Sequence, residues 1–414
     1  MRADGDALES VALLITEIED FSGKTIHLND SWSSTGKKLA DAKDYYKELD
    51  QYLSDEDKLI KEAGQLKADD EKIAFMFNAV KTTIGWNGYE NWRTTDGIRS
   101  AWKKRTGNTA EVNAILYHLL KKSGVKAYPM LVSTRDNGLI EPAFVDIFQV
   151  NSLVTYVPVD STKYYILDAT DRYNTYNQIP YNLLNSYGLC LDKDRNKYDM
   201  VFIATKTPSR EVTVINGDIG ADAKMQGKCD ILSYGYNRTS DLKLYKTAGE
   251  KKFEEFLTGN DNSLKLSNLK LENTEIDTLP LKQNFDFTDD LNNTDNYIFF
   301  SPNIFTSLHS NPFFSEKRSS EIDFGFADDH IIFGRYKIPQ GYNVESLPKD
   351  ASLTMSDKSL KFTRTLGKED GYISLHYKIR IERTKFSKSE YPDLREFYKK
   401  MYDLLNEQII LKKG

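Results

Sequence analysis

Apolar residues recur at helical spacing in two stretches of the first half of the chain. In the first stretch, one helix face would carry Ile73, Met76, Phe77, Val80 and Ile84. In the second, the same spacing joins Val112, Ile115, Leu116, Leu119 and Leu120. Asn108 stands before this second stripe, Glu111 follows it at the spacing of a capping box, and Gly124 comes after the stripe ends. We therefore predict two helices, of which the second opens at Asn108 and ends near Gly124.

Runs of β-branched and aromatic residues, separated by turn residues, surround this helical region. They predict strands at 11–17, 25–28, 126–133, 144–157 and 164–167. Helices followed by strands in one block indicate an α+β domain over residues 36–205. Residues 1–35 are then the strand stump of an N-terminal β-region, because a two-stranded hairpin is too small to fold alone.

The pattern changes after residue 206 to short strands separated by Gly, Asn, Asp and Pro. One helical stretch, about 241–257, interrupts them, and residues 372–381 alternate between apolar and polar positions. A last helix is predicted to start at Pro392, a residue favoured in the first helical turn. We interpret 206–414 as an antiparallel β-sandwich domain closed by a C-terminal helix.

Composition removes several classes of function. The 414 residues carry a net charge of −6 without a dense Lys/Arg block, so a nucleic acid is not an expected partner. The longest apolar runs are about five residues, and the N-terminus is charged, so neither a membrane span nor a signal peptide is predicted in this chain. Two cysteines are too few for a disulfide scaffold or a four-thiolate zinc site, and no phosphate-loop or metalloprotease motif is present. No metal or cofactor is therefore expected.

The segment KKRTGNTAEVNAILYHLL, with NSLVTYVPVD and KYYILDATD after it, resembles the core of the transglutaminase-like superfamily. The resemblance implies a papain-like fold in which a cysteine follows a glycine turn at a helix N-terminus. A histidine at the start of a later strand takes the thiol proton, and an aspartate after a further strand orients the histidine. In this chain the glycine is Gly107, and the three catalytic positions hold Thr109, Ser152 and Asp168.

Two of those three groups are chemically different from what the resemblance implies. A threonine hydroxyl has a far higher pKa than a thiol, and a serine cannot act as a base near neutral pH. The leading hypothesis is therefore a catalytically inactive protein that keeps the fold and serves as a binding or structural module.

The resemblance extends to a group of bacterial proteins that join a transglutaminase-like domain to β-domains of unknown function. The segments IGWNG, STRDNG and IPYNLLN carry it in the first half, and NPFFSEKR, IPQGYNVESLP and QIILKKG in the second. Members of that group typically have an export signal, so the resemblance implies a periplasmic or cell-envelope location.

The alternative hypothesis is a hydrolase or acyl-transferase that uses Thr109 or a relocated nucleophile such as Cys190. His118 cannot assist Thr109, because nine residues of helix turn through about 900° and place the two on opposite sides. The other histidines, which we expect at the surface, are His27, His309, His330 and His376. We expect Cys190 and Cys229 in strands, and the Asp/Asn-rich segment 286–296 is predicted to be a polar loop, because it lacks the glycine and glutamate of a calcium-binding loop.

Further cleft candidates are the aromatic and polar residues that surround the predicted positions. They are Trp86, Trp92, Trp102, Asn108, Arg135 and Asn151. Aromatic platforms flanked by amides suit a peptide or glycan ligand, whereas core packing is the competing explanation for the tryptophans. For Arg135 the competing explanation is an arginine at the rim of a hairpin. No protein partner is indicated.

Overall fold

The computed structural model of the chain describes residues 15, 17–27, 31–42, 45–160, 163–306, 308 and 310–414. The chain divides into two compact units, Met1–Thr205 and Lys206–Gly414. Among the described helices, none is both long enough and apolar enough to span a lipid bilayer.

The first unit combines helices with a five-stranded sheet. Its helices are α1 (Trp32–Asp41), α2 (Tyr45–Leu49), α3 (Glu56–Ala63), α4 (Asp69–Thr83), α5 (Ile98–Lys104) and α6 (Thr109–Lys122). Its strands are β1 (Glu17–Glu19), β2 (Thr25–His27), β3 (Gly85–Trp86), β4 (Thr106–Gly107), β5 (Tyr128–Val132), β6 (Ser152–Pro158), β7 (Tyr164–Leu167), β8 (Ser186–Asp192) and β9 (Lys197–Ile203). The sheet has the antiparallel order β7-β6-β5-β8-β9.

Helix α6 is the centre of this unit. Every residue from Thr109 to Leu120 is buried, because the sheet covers one side of the helix and α2, α3, α4 and α5 pack against the others. The predicted helix and its capping box are confirmed, but burial is all-round and not confined to one face. A helix of this kind can hold polar side chains in the core, and α6 does so at both ends.

Three predictions for this unit need correction. The expected strand 144–157 begins only at Ser152, because a short 3₁₀ turn at Ile147–Gln149 precedes it. Helix α1 crosses the expected boundary at residue 35, and its Trp32 side chain is buried in the core of this unit. The first N-terminal strand lies at Glu17–Glu19; positions 11–14, 16 and 28, which the prediction also included, lie outside the described residues.

The second unit is built on an eight-stranded sheet. Its strands are β10 (Ser209–Ile219), β11 (Lys224–Tyr234), β12 (Leu264–Glu272), β13 (Leu281–Asp290), β14 (Asn292–Asn293), β15 (Tyr297–Phe300), β16 (Ile322–Asp323), β17 (Asp328–Lys337), β18 (Tyr342–Ser346), β19 (Ala351–Thr354), β20 (Leu360–Glu369), β21 (Tyr372–Ile381), β22 (Lys385–Phe386) and β23 (Ile409–Lys413). Its helices are α7 (Tyr236–Ala248), α8 (Glu250–Thr258) and α9 (Tyr391–Leu405).

One face of the large sheet packs on a core that it shares with a smaller sheet and with α9. The large sheet has the order β12-β13-β11-β10-β17-β21-β20-β19, and the smaller one the order β14-β15-β23-β18. The predicted alternation in β21 is confirmed, since Ile373, Leu375, Tyr377 and Ile379 are buried. The helix predicted at Pro392 is also present, with proline in its first turn.

The prediction of a purely antiparallel domain was wrong, because β10 and β17 pair in parallel. The helical stretch 241–257 is two helices that separate at Gly249, whose φ of +86° favours glycine. The segment 286–296 is not a loop throughout, since β13 continues to Asp290 and its buried face carries Phe287 and Asp289. Strand β23 follows the last helix and was not predicted.

Candidate functional site

The N-terminus of α6 is fixed by a reciprocal pair of hydrogen bonds. Asn108 is the N-cap, and its side-chain oxygen accepts from the Glu111 N–H at 2.9 Å. Glu111 Oε2 in turn accepts from the Asn108 N–H at 2.9 Å. Asn108, a cleft candidate, is fully buried, and its amide nitrogen donates to Arg93 and Thr95, so it is a structural residue of the helix start.

Glu111 also anchors the loop before α5. Its second oxygen accepts from the backbone N–H groups of Thr95, Asp96 and Gly97, and the side chain is 3% exposed. Gly107 makes this possible, since a Cβ there would lie 2.8 Å from the Glu111 Cβ. The glycine in KKRTGN is therefore required by the close approach of the capping glutamate.

A two-residue parallel pairing of β3 with β4 places the segment 85–90 against the helix start. The Asn87 N–H donates to the Gly107 carbonyl at 2.9 Å, and the Thr109 N–H donates to the Tyr89 carbonyl at 3.2 Å. This register brings the side chain of Glu90 next to that of Thr109. The Thr109 hydroxyl donates to Glu90 Oε2 at 2.8 Å.

Glu90 connects the three positions that the sequence singled out. Ser152, at the start of β6 and 2% exposed, lies close enough for its hydroxyl to lower the pKa of Glu90, and the charge of Asp168 acts on the same carboxyl group. Burial raises the pKa of Glu90, the hydroxyls of Thr109 and Ser152 lower it, and Asp168 raises it again, for a net increase. We call Glu90, Thr109, Ser152 and Asp168 the hydroxyl–carboxylate cluster.

Asn113, one turn after Thr109 on α6, ties Asp168 into the core. Its amide nitrogen donates to Asp168 Oδ1 and to the Leu153 carbonyl, both at 2.9 Å, and its side-chain oxygen accepts from the Ala169 N–H. Burial raises the pKa of Asp168, although the hydrogen bonds from Asn113 and Thr170 oppose this. Asp168 is thus held by fixed donors and not by an imidazole.

The three tryptophans occupy different environments. Trp86 is 41% exposed, and its indole N–H donates to the Tyr89 carbonyl at 3.2 Å. Trp92 packs against the core, with the Arg93 guanidinium 4.3 Å from its ring centre. Trp102 is 4% exposed and donates to the Ser54 carbonyl, so it belongs to the core and not to an open cleft.

The two remaining cleft candidates have structural contacts. Arg135 is 5% exposed, with its guanidinium 4.9 Å from the Tyr181 ring centre, and this burial corrects the interpretation as a rim residue. The Asn151 side chain bonds both the backbone N–H and the hydroxyl of Thr134, which fixes the turn that precedes β6. Both therefore support the loops around the cluster.

Histidines and cysteines do not complete the cluster in the described part of the chain. His118 lies between Asp50 and Glu56, and each of its ring nitrogens is 2.8 Å from a carboxylate oxygen. It therefore has other partners than Thr109, in agreement with the prediction that the two lie on opposite sides of the helix. Cys190 and Cys229 are buried in strands as predicted, and burial raises the pKa of Cys190 to about 12.

The structure describes the side chains of two of the four other histidines. His376 is exposed as expected, whereas His330 is only 13% exposed and contacts Asp328 and Glu211, so its prediction as a surface residue was wrong. Residue 309 and the side chain of residue 27 lie outside the described part.

Sequence reasoning missed Glu90 and Asn113. Asn113 had a detectable signal, since it is a polar residue four positions after Thr109 within an apolar helix. Glu90 had none, because its position depends on the register of two short strands that lie about 20 residues apart. Among the described residues, no group of three or more His, Cys, Asp or Glu side chains has the geometry to hold a metal ion.

Comparisons with known proteins give two similarities. A family model described as a "Domain of Unknown Function with solved-structure structure (DUF3858)" matches residues 295–411. The crystal structure of "a putative protease from Parabacteroides distasonis ATCC 8503" is similar with a TM-score of 0.54 at 12% identity. The similarity covers 98% of this chain and 64% of that one. None of the curated proteins matches the chain.

The two similarities concern different extents of the chain, since the first covers residues 295–411 and the second nearly the whole chain. Residues 295–411 of the second unit are similar to a family of domains of unknown function, and the match includes the segments NPFFSEKR and IPQGYNVESLP. The likeness to the solved structure concerns the fold, since identity is low. The chain spans about two thirds of that structure's length.

The raised pKa of Glu90 predicts a pH dependence of stability. Because the folded state holds the Glu90 proton more tightly than the unfolded state, the contribution is present below about 4.5 and is lost as pH rises through the folded pKa. We expect the free energy of unfolding of the wild type to fall relative to Glu90→Gln between pH 4 and pH 7. Urea unfolding followed by tryptophan fluorescence measures this, since all four tryptophans lie in the first unit.

The matched control is Glu62→Gln, a substitution of an exposed carboxylate on α3. Its free energy of unfolding should change with pH in the same way as that of the wild type. If the free energies of unfolding of the wild type and of Glu90→Gln change with pH in parallel, the raised pKa of Glu90 is contradicted.

Proposed function

We propose that the chain is a catalytically inactive transglutaminase-like protein that acts as a binding or structural module of the bacterial cell envelope. The observation that carries the proposal is the hydrogen bond from the Thr109 hydroxyl to Glu90, at the position where the resemblance implies a thiol beside an imidazole. The likeness of the fold to that of a protein described as a protease supports the comparison of positions.

The chemistry of the cluster argues against turnover. A hydroxyl is a far weaker acid than a carboxylic acid, so transfer of the Thr109 proton to Glu90 is strongly uphill. The Thr109 side chain is 1% exposed, and the segment that carries Tyr89 lies against its backbone. An acyl group would have to displace that segment before it could reach the oxygen.

Binding would use the loop over the cluster. Trp86 is 41% and Tyr89 is 58% exposed, and both belong to the segment 85–90, whose backbone is held by Gly107 and Thr109. Exposed aromatic rings on a fixed backbone suit a peptide or a glycan, since both offer flat apolar surfaces with hydrogen-bonding edges.

A second candidate is a hydrolase or acyl-transferase with Thr109 as nucleophile and Glu90 as base. The distance of 2.8 Å and the raised pKa of Glu90 favour it. In that reaction the Thr109 oxygen would form a bond to the acyl carbon while its proton passes to Glu90. The leaving amine would then take that proton as its bond to the carbon breaks.

Amine incorporation and peptide hydrolysis by the full chain distinguish the two candidates. We expect wild type, Thr109→Ala and Glu90→Gln to give the same background rate. A wild-type rate that falls about 10²-fold or more in both variants would contradict the proposal and support the second candidate. Glu62→Gln is the control for a change of charge away from the cluster.

A further inference from the structure

The second unit contains a small cavity between the inner face of its large sheet and helices α7 and α8. Its volume is about 10 Å³, the space of one water-sized group. The described residues that line it are Glu211, Ile231, Asp241, Phe256, Leu257, Gln283 and Phe305. Glu211, Asp241 and Gln283 are polar and the other four are apolar, so these three side chains provide the hydrogen-bonding groups of the cavity.

The hydrogen bonds around Asp241 fix the orientation of the Gln283 amide. Asp241 Oδ2 accepts from the Ser233 hydroxyl at 2.6 Å and from Gln283 Nε2 at 2.9 Å, and the same Nε2 donates to Ser233 Oγ at 3.1 Å. Reversing the amide would turn its oxygen toward a carboxylate. The amide oxygen is fully buried, and among the described residues none donates a hydrogen bond to it.

The charges next to the cavity are mostly negative. Glu211 and Asp241 are 8% and 6% exposed, and Glu211 is 3.5 Å from His330, whose other ring nitrogen contacts Asp328 at 3.0 Å. Glu211 and Asp328 thus contact one imidazole, and Asp241 is a further carboxylate at the cavity. Burial and the charge of Glu211 raise the pKa of Asp241 to about 7, which is the expected response of a buried carboxylate near another.

We propose that this cavity binds a monovalent cation of ammonium size, either free ammonium or the ammonium head of a primary amine. The group offers several N–H donors, and the polar lining offers carboxylate and amide oxygens as acceptors. Phe256 and Phe305 add aromatic rings, whose faces attract cations. Phe256 is 38% exposed, so one residue of the cavity wall also lies at the protein surface.

The proposal accounts for two otherwise costly features at once. A buried amide oxygen without a donor is unfavourable, and so are two carboxylates that face the same low-dielectric space. One bound cation would donate a hydrogen bond to the amide oxygen and neutralise part of the charge of the two carboxylates. The inference is independent of the function proposed for the first unit.

Thermal unfolding of the full chain tests the proposal at constant ionic strength. Ammonium chloride should raise the unfolding temperature of the second unit by about 2 °C or more in a saturable way, relative to tetramethylammonium chloride. Tetramethylammonium carries the same charge but is too large and has no N–H donor. Methylammonium chloride distinguishes the two candidate ligands. An increase in unfolding temperature equal to that with ammonium indicates the head of a primary amine, and no increase indicates the free ammonium ion.

The lining residues provide the matched variants. Glu211→Gln and Gln283→Leu should lose the ammonium increment, while Glu275→Gln, at an exposed carboxylate in the same unit, should keep it. Amide hydrogen exchange in β10 and β13 of the wild type should slow with ammonium, which reports binding even if a variant folds poorly. Equal unfolding temperatures in the two salts, or an unchanged increment in Glu211→Gln, would overturn the proposal.

Discussion

Replacing Glu111 with glutamine should lower the free energy of unfolding of the first unit by about 2–4 kcal/mol. One Glu111 oxygen accepts from the Asn108 N–H, and the other from the N–H groups of three successive residues. A glutamine has one oxygen and one NH₂ group, so it must present donors to one of these two sets. One orientation leaves the buried Asn108 N–H facing an N–H donor, and the other does the same to the partly buried N–H groups of the loop.

The matched control uses the same capping position in another helix. Glu71 is the third residue of α4 and accepts from the Ala68 N–H at 3.1 Å, but it is exposed to solvent. We expect Glu71→Gln to cost about 1 kcal/mol or less, because water can replace the lost bond. Urea unfolding followed by tryptophan fluorescence compares the two variants. Equal losses would contradict a special role for Glu111 in joining the helix start to the loop before α5.

The local features of α6 could be predicted from the sequence because they depend on neighbours along the chain. The capping box needs only Asn108 and Glu111, and the apolar stripe needs only the helical repeat. The same holds for β21, whose alternation lies within ten residues. Positions matched by resemblance also lie near one group, since Thr109 donates a hydrogen bond to Glu90, and Ser152 and Asp168 both influence the pKa of that carboxyl group.

The features that could not be predicted depend on pairing between distant segments. Strand β10 lies beside β17 although more than a hundred residues separate them, and this parallel register places Glu211 opposite His330. A histidine expected at the surface is therefore mostly enclosed and contacts two carboxylates. Glu90 reaches Thr109 for a similar reason, through the pairing of β3 with β4. Side-chain chemistry alone gives no sign of either contact.

The proposed inactivity depends on the side chains at three positions. Thr109 and Ser152 provide hydroxyls where a thiol and an imidazole would be needed, and Glu90 lies next to them. If this is correct, Thr109→Cys with Ser152→His should bring a thiol and an imidazole together, and Glu90→Ala should make room for the ring and remove its charge. The helix N-terminus and the imidazolium then both favour the thiolate. We expect a thiol pKa at least about one unit below the ordinary value of about 8.5.

The most direct measurement is the thiolate absorbance titration of this triple variant against the Glu90→Ala, Ser152→His protein. Subtracting the second titration removes any signal from Cys190 and Cys229. Thr109→Cys alone is the comparison, and its thiol pKa should lie above the ordinary value because the half-buried carboxylate of Glu90 remains beside it. The account predicts a lowered pKa in the triple variant and a raised one in the single variant. Equal pKa values in the two folded proteins would contradict it.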